Sequence, residues 1–158
     1  MLNSDFVSEI AAAKGTDSLS EKYSEIRAFT ERICANLEKE DFVLQSMTDA
    51  SPVRWHLAHT TWFFETFVLR EFDPDYNPFD PHFAFLFNSY YVQAGERFSR
   101  PDRGLLSRPV VDEIYTYRQY VNKHIDSLLN MTSELSRAQT DEIHPLKHIK
   151  YNAISSCI

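Results

Sequence analysis

Between Pro109 and Met131 the chain carries apolar side chains at Val110, Ile114, Tyr117, Val121, Ile125 and Leu128. Steps of four and three residues put all six on one side of a helix and of nothing else, so the segment predicts a long amphipathic helix over 109–130, opened by Pro109. A helix with one apolar stripe is marginal alone and needs partners to cover that stripe. The chain has only three glycines in 158 residues. That scarcity argues against a turn-rich β-sandwich and for long helices joined by few connections.

Three further segments carry helix signals. Ser18 and Glu21 have capping-box spacing, and Tyr23, Ile26, Phe29, Ile33 and Leu37 follow at helical intervals, which predicts a helix over 18–38 with those residues inward. Ser51 reads as an N-cap with Pro52 at the first helical position, opening a helix over 51–70 through Leu57, Phe64, Phe67 and Val68. Asp80-Pro81 repeats that start for a third helix over 81–95, with Gly95 as its stop. Four such helices predict an all-α protein, a four-helix bundle over 18–140. Residues 1–17 read as an N-terminal arm and 141–158 as a divergent C-terminal tail in which the helical signal fades.

Composition narrows the partners. A formal charge of −7 and a pI near 5.3 argue against nucleic-acid binding, which needs a basic face. There is no run of eighteen apolar residues for a membrane span and no basic, apolar leader for secretion. Two cysteines, Cys34 and Cys157, make no disulfide framework. The expectation is a single cytoplasmic domain, compatible with a homo-oligomer.

The histidines and arginines carry the chemistry. His56 and His59 stand three apart, about 60° around the helix, inside the aromatic run Ser51–Glu65. Each is either a hydrogen-bonded core residue or a metal ligand, since neutral imidazole serves both purposes. His82 reads as a local helix-start hydrogen-bonder, and His124 as an edge residue beside the 109–130 stripe. Arg97, Arg100 and Arg103 crowd the loop Glu96–Gly104. Such a loop is either plainly solvated or a carboxylate site, because a guanidinium offers two parallel charge-assisted bonds. Trp55, Trp62, Phe63, Phe64 and Phe67 read as core filling.

The Ser51–Glu65 block, with Ile33-Cys-Ala, Gln45-Ser-Met, Asn88-Ser-Tyr-Tyr91 and Gly104-Leu-Leu-Ser-Arg-Pro109, resembles the N-terminal, DinB-like domain of ergothioneine-biosynthesis sulfoxide synthases. The resemblance runs from about Tyr23 to about Leu129. Those enzymes are iron-dependent and use O₂ to join a low-molecular-weight thiol to a betaine of histidine. The resemblance implies a DinB-like bundle, Fe(II) as cofactor, and the thiol and the histidine betaine as partners. It assigns His59 as an iron ligand and leaves His56 as a neighbouring packing residue. It assigns Arg100 and Arg103 to the carboxylates of the thiol, with Arg97 behind them.

In that family two more imidazoles come from a His-x-x-x-His pair, for which this chain offers His144-Pro-Leu-Lys-His148. Two alignments compete. In one, His59, His144 and His148 form the metal site, with Pro145 obliging His144 to stand at a helix start. In the other, His148-Ile-Lys-Tyr-Asn152 matches the segment that follows the pair, the pair itself is lost, and the site is empty. Whole enzymes of the family continue into a second domain that supplies much of the pocket. The chain thus reads as C-terminally truncated, and sulfoxide synthase activity is not expected from it alone. Two other functions stay open: a metal-dependent DinB-type thiol transferase, and a non-catalytic interaction module.

Overall fold

The computed structural model describes residues 19–138, with side chains as far as 131. Four helices appear among them: α1 (Leu19–Cys34), α2 (Val53–Phe64), α3 (Phe83–Phe87) and α4 (Val111–Ala138). A π turn (Glu65–Leu69) and a last α turn (Arg70–Phe72) continue α2, and short 3₁₀ turns punctuate the links. All regular structure among the described residues is helical, so the all-α expectation holds. None of these helices is long and apolar enough to cross a membrane.

α4 is the spine. Ile114, Tyr117, Val121 and Ile125 are buried as the stripe requires, and α4 packs against both α2 and α1. The stripe opens at Val111, which is buried, and not at Val110, which is 41% exposed. The helix itself starts at Val111, two residues later than its proline suggests.

α1 turns a different face inward from the one its hydropathy predicts. Tyr23, Arg27 and Cys34 are buried, while Ile26, Phe29 and Ile33 are 38%, 56% and 63% exposed. Hydrogen bonds set this orientation. Tyr23 Oη and Arg27 Nε both donate to Asn122 Oδ1, at 2.7 and 2.9 Å. Arg27 Nη2 donates to Thr61 Oγ1 at 2.8 Å, and the fully buried Arg118 donates to Glu31 Oε1 and to the Arg27 carbonyl. Leaving the buried guanidinium groups unpaired would cost more than burying the three apolar side chains would gain, so the polar face wins. The helix also ends at Cys34 and not at 38. Asp41 Oδ2 accepts the Glu38 N–H at 2.9 Å and starts a new turn there. Ser18, the expected cap, lies outside the described residues.

The start of α2 differs too. Pro52 is extended (φ −57°, ψ 150°) and precedes the first helical residue, and Ser51 does not cap the helix. Its hydroxyl accepts from Arg103 Nη1 at 2.8 Å, a buried cation that outcompetes the helix N–H groups for that oxygen. α3 covers Phe83–Phe87 where 81–95 was expected. The reason is Asn88, fully buried, whose Nδ2 donates to the carbonyls of Tyr91 and Gly95 at 3.2 and 3.0 Å. A side-chain amide offering these bonds draws the backbone out of the helix. Gly95 then takes φ 105°, a left-handed conformation that favours glycine.

Where α2 widens into its π turn, Glu65 points into the core. Its carboxylate accepts from Tyr76 Oη and Tyr117 Oη, both at 2.6 Å, and from the Phe79 N–H at 3.0 Å. One buried carboxylate thereby ties α2, the 73–80 link and α4 together.

Candidate functional site

The first turns of α2 bring Trp55, His59 and Trp62 to one side of the helix, and the chain after α3 closes over them. His59 is stacked on Trp55, with centroids 4.6 Å apart and planes 15° apart, and lies 5.6 Å from Trp62 at 21°. Tyr91 approaches the same ring at 6.4 Å. His59 Nδ1 is 2.7 Å from the Phe87 carbonyl oxygen. A carbonyl only accepts, so Nδ1 carries the proton and the neutral ring keeps its lone pair on Nε2. A ring fixed at one nitrogen by a carbonyl, with the other left basic, is how proteins orient a histidine for a metal.

Electrostatics keep the ring neutral. Burial pushes the His59 pKa below its ordinary value, the Phe87 hydrogen bond partly opposes this, and Arg103 adds to the lowering. His56 is shifted the same way, by burial first and then by Arg103 and Arg100. The His56 ring meets Trp55 edge-on at 5.6 Å.

The arginine loop lies against the other side of this cluster. Arg103, 2% exposed, holds its guanidinium carbon 3.5 Å from the centroid of Trp55, the indole that stacks on His59. It donates to Ser51 Oγ and reaches the Asn88 carbonyl at 3.5 Å. Arg97 and Arg100 both lie over the exposed ring of Tyr90, at 5.0 and 4.6 Å. Gln45 anchors the loop: its Nε2 donates to the Arg100 carbonyl at 2.9 Å, and its Oε1 accepts the Gly104 N–H. A Cβ on Gly104 would sit 2.8 Å from that Oε1, so the close approach requires glycine. Arg54, also buried, binds the carbonyls of Leu106 and Pro109 and closes the loop's far end.

Two features set this region apart. Among the described residues no carboxylate pairs with Arg97, Arg100 or Arg103, although the chain as a whole is acidic. Among the described residues, the buried side-chain polar atoms without a partner are Trp62 Nε1, Asn88 Oδ1, Arg100 Nε and Arg103 Nε, and all four belong to this region. Such atoms are rare in folded proteins and each calls for an explanation. An open cavity of about 480 Å³, lined by Tyr91, Val92, Gly95, Glu96 and Arg97, adjoins it.

The structure thus gathers His59 and Arg103 around Trp55, with Arg100 beside Arg103. It does not assemble a metal triad: among the described residues no three His, Cys, Asp or Glu side chains converge. His144 and His148 lie outside the described residues. His82 binds Asp80 at 2.8 Å, and His124 donates to the Tyr120 carbonyl, so both serve local structure. Sequence reasoning missed the positioning roles of Asn88, Gln45 and Ser51. The available signal was polar residues set among aromatics and next to the arginine loop. No family model matches this sequence, and no curated protein matches it.

Proposed function

We propose that this chain is a DinB-like four-helix domain of the kind found in iron-dependent, ergothioneine-type sulfoxide synthases, and that the His59 end is its working site. The observation that supports this most is the hydrogen bond from His59 Nδ1 to the Phe87 carbonyl, which leaves Nε2 basic beside a cluster of unpaired arginines. In this reading His59 Nε2 faces a divalent metal, and guanidinium groups of the loop take the carboxylate of a low-molecular-weight thiol. Arg103 is occupied by Ser51, Asn88 and Trp55, so Arg97 and Arg100 carry the open donors and Arg103 holds the loop in place.

Fe(II) held by imidazoles supplies a site where a thiolate and O₂ can bind together. One imidazole is not enough to hold it against water. The described residues supply only His59, so a metal held here needs His144 and His148 as well. What the described residues do is narrower. They present one unprotonated nitrogen, keep the ring from turning, and place positive charge next to it.

Metal analysis of the full chain after anaerobic reconstitution with Fe(II) tests the proposal. One iron per chain is expected, with affinity reduced by at least about tenfold in His59→Ala and in His148→Ala alike. Iron that stays bound in His59→Ala, or no retention by the wild-type chain, would contradict it. The second of these results fits the empty-site alignment and a non-catalytic interaction module.

A further inference from the structure

We infer that α1 is a self-association surface, and that two copies of this chain pair antiparallel about a two-fold axis through the Ile26–Phe29–Ile33 face. The three side chains stand at i, i+3 and i+7, the spacing of a helix–helix seam, and are 38%, 56% and 63% exposed. The helix cannot turn this face inward. Its opposite side is bound to α4 and α2 through Tyr23, Arg27 and Glu31, and rotation would strip Arg27 and Arg118 of their partners.

Charge selects the occupant. Glu25 and Arg32 are seven residues apart, along one edge of the apolar face. The Arg32 guanidinium carbon lies 5.6 Å over the Phe29 ring, and among the described residues neither Glu25 nor Arg32 has an ion-pair partner. In an antiparallel pair centred between Ala28 and Phe29, Glu25 of each copy meets Arg32 of the other, which gives two ion pairs from one sequence. A parallel pair would leave the two charged edges on opposite sides of the seam and form neither ion pair. A surface whose charges complement themselves under a two-fold rotation is the mark of an isologous interface. Phe29 lies at the axis, where the apolar contact is densest. A single helix face is small for an interface, so the dimer is weak, with a Kd on the order of micromolar or above.

Sedimentation velocity of the full chain, from about 1 to about 500 μM, tests this. A monomer–dimer equilibrium is expected, and Phe29→Asp abolishes it with no loss of helical circular dichroism and, where both proteins are monomeric, none of thermal stability, since the side chain is exposed in the monomer. Glu25→Arg and Arg32→Glu each weaken the dimer by about fivefold, and the two together restore it. A monomer at every concentration, or a dimer indifferent to Phe29→Asp, overturns the inference. So does a double variant no better than the singles. A fall in thermal stability in Phe29→Asp, compared at concentrations where both proteins are monomeric, also overturns it, because it means that part of the same chain covers the face.

Discussion

Replacing Glu65 with alanine is expected to cost about 3–5 kcal/mol, a large share of the roughly 5–15 kcal/mol that holds a domain folded. The carboxylate is 3% exposed and receives three donors: two tyrosine hydroxyls at 2.6 Å and the Phe79 N–H. Alanine leaves all three unsatisfied and opens a cavity between α2 and α4. Glutamine keeps one acceptor oxygen, and its amide can donate to a reoriented hydroxyl, so Glu65→Gln should lose only about 1–2 kcal/mol. Urea unfolding of the two variants measures the difference. Equal losses would mean that the site responds to charge and not to the count of satisfied donors.

The buried arginine of α4 should behave differently. Arg118 is fully buried, and its salt-bridge partner Glu31 keeps 44% of its side chain exposed. It also stands near Arg27, whose pKa is brought down to about 10, by burial first and with Arg118 contributing. Arg118→Ala is expected to lose about 2–4 kcal/mol, the range for truncating a large core side chain. Arg118→Met fills most of the volume, lets Glu31 turn to water and relieves Arg27. It should recover part of that loss, and a remaining deficit of about 1–2 kcal/mol is expected from the missing bonds to Glu31 and the Arg27 carbonyl. The contrast separates packing from charge. If methionine is as damaging as alanine, the hydrogen bonds of Arg118 hold α1 in place and its aliphatic stem does not.

α4 was legible in the sequence because its buried face is almost wholly apolar and its partners' identities do not matter to the pattern. α1 was not. Arg27 reads as a solvent residue and Ile26, Phe29 and Ile33 read as core, yet the order is reversed by Asn122, Thr61 and Arg118, which belong to other helices. No periodicity within α1 contains that information. The third helix failed for a similar reason: Asn88 takes the carbonyls of Tyr91 and Gly95, and a helix-period reading assigns its amide to water. Of the candidate site, the residue types were readable and the bonding was not. His59 stood out among aromatics, but the Phe87 carbonyl that fixes its tautomer is 28 residues away. Arg103 looked like a free loop cation and is a buried support for Trp55 and Ser51.

The central claim is that His59 presents a basic Nε2 from a ring locked at Nδ1. Long-range ¹H–¹⁵N spectra of the imidazoles in the full chain, recorded against pH and then against Zn(II) as a diamagnetic probe, test it most directly. The metal-free chain at pH 7 should show His59 as the Nδ1–H tautomer, titrating below the ordinary value of about 6.5. As pH falls, the unfolded chain takes up that proton before the folded one. The contribution of His59 to stability is therefore complete above about pH 6.5 and is lost as pH drops through the folded pKa. Zn(II) should shift the Nε2 resonance and leave Nδ1 bonded. An Nε2–H tautomer, a midpoint at or above 6.5, or an Nε2 signal that ignores Zn(II) would contradict the account.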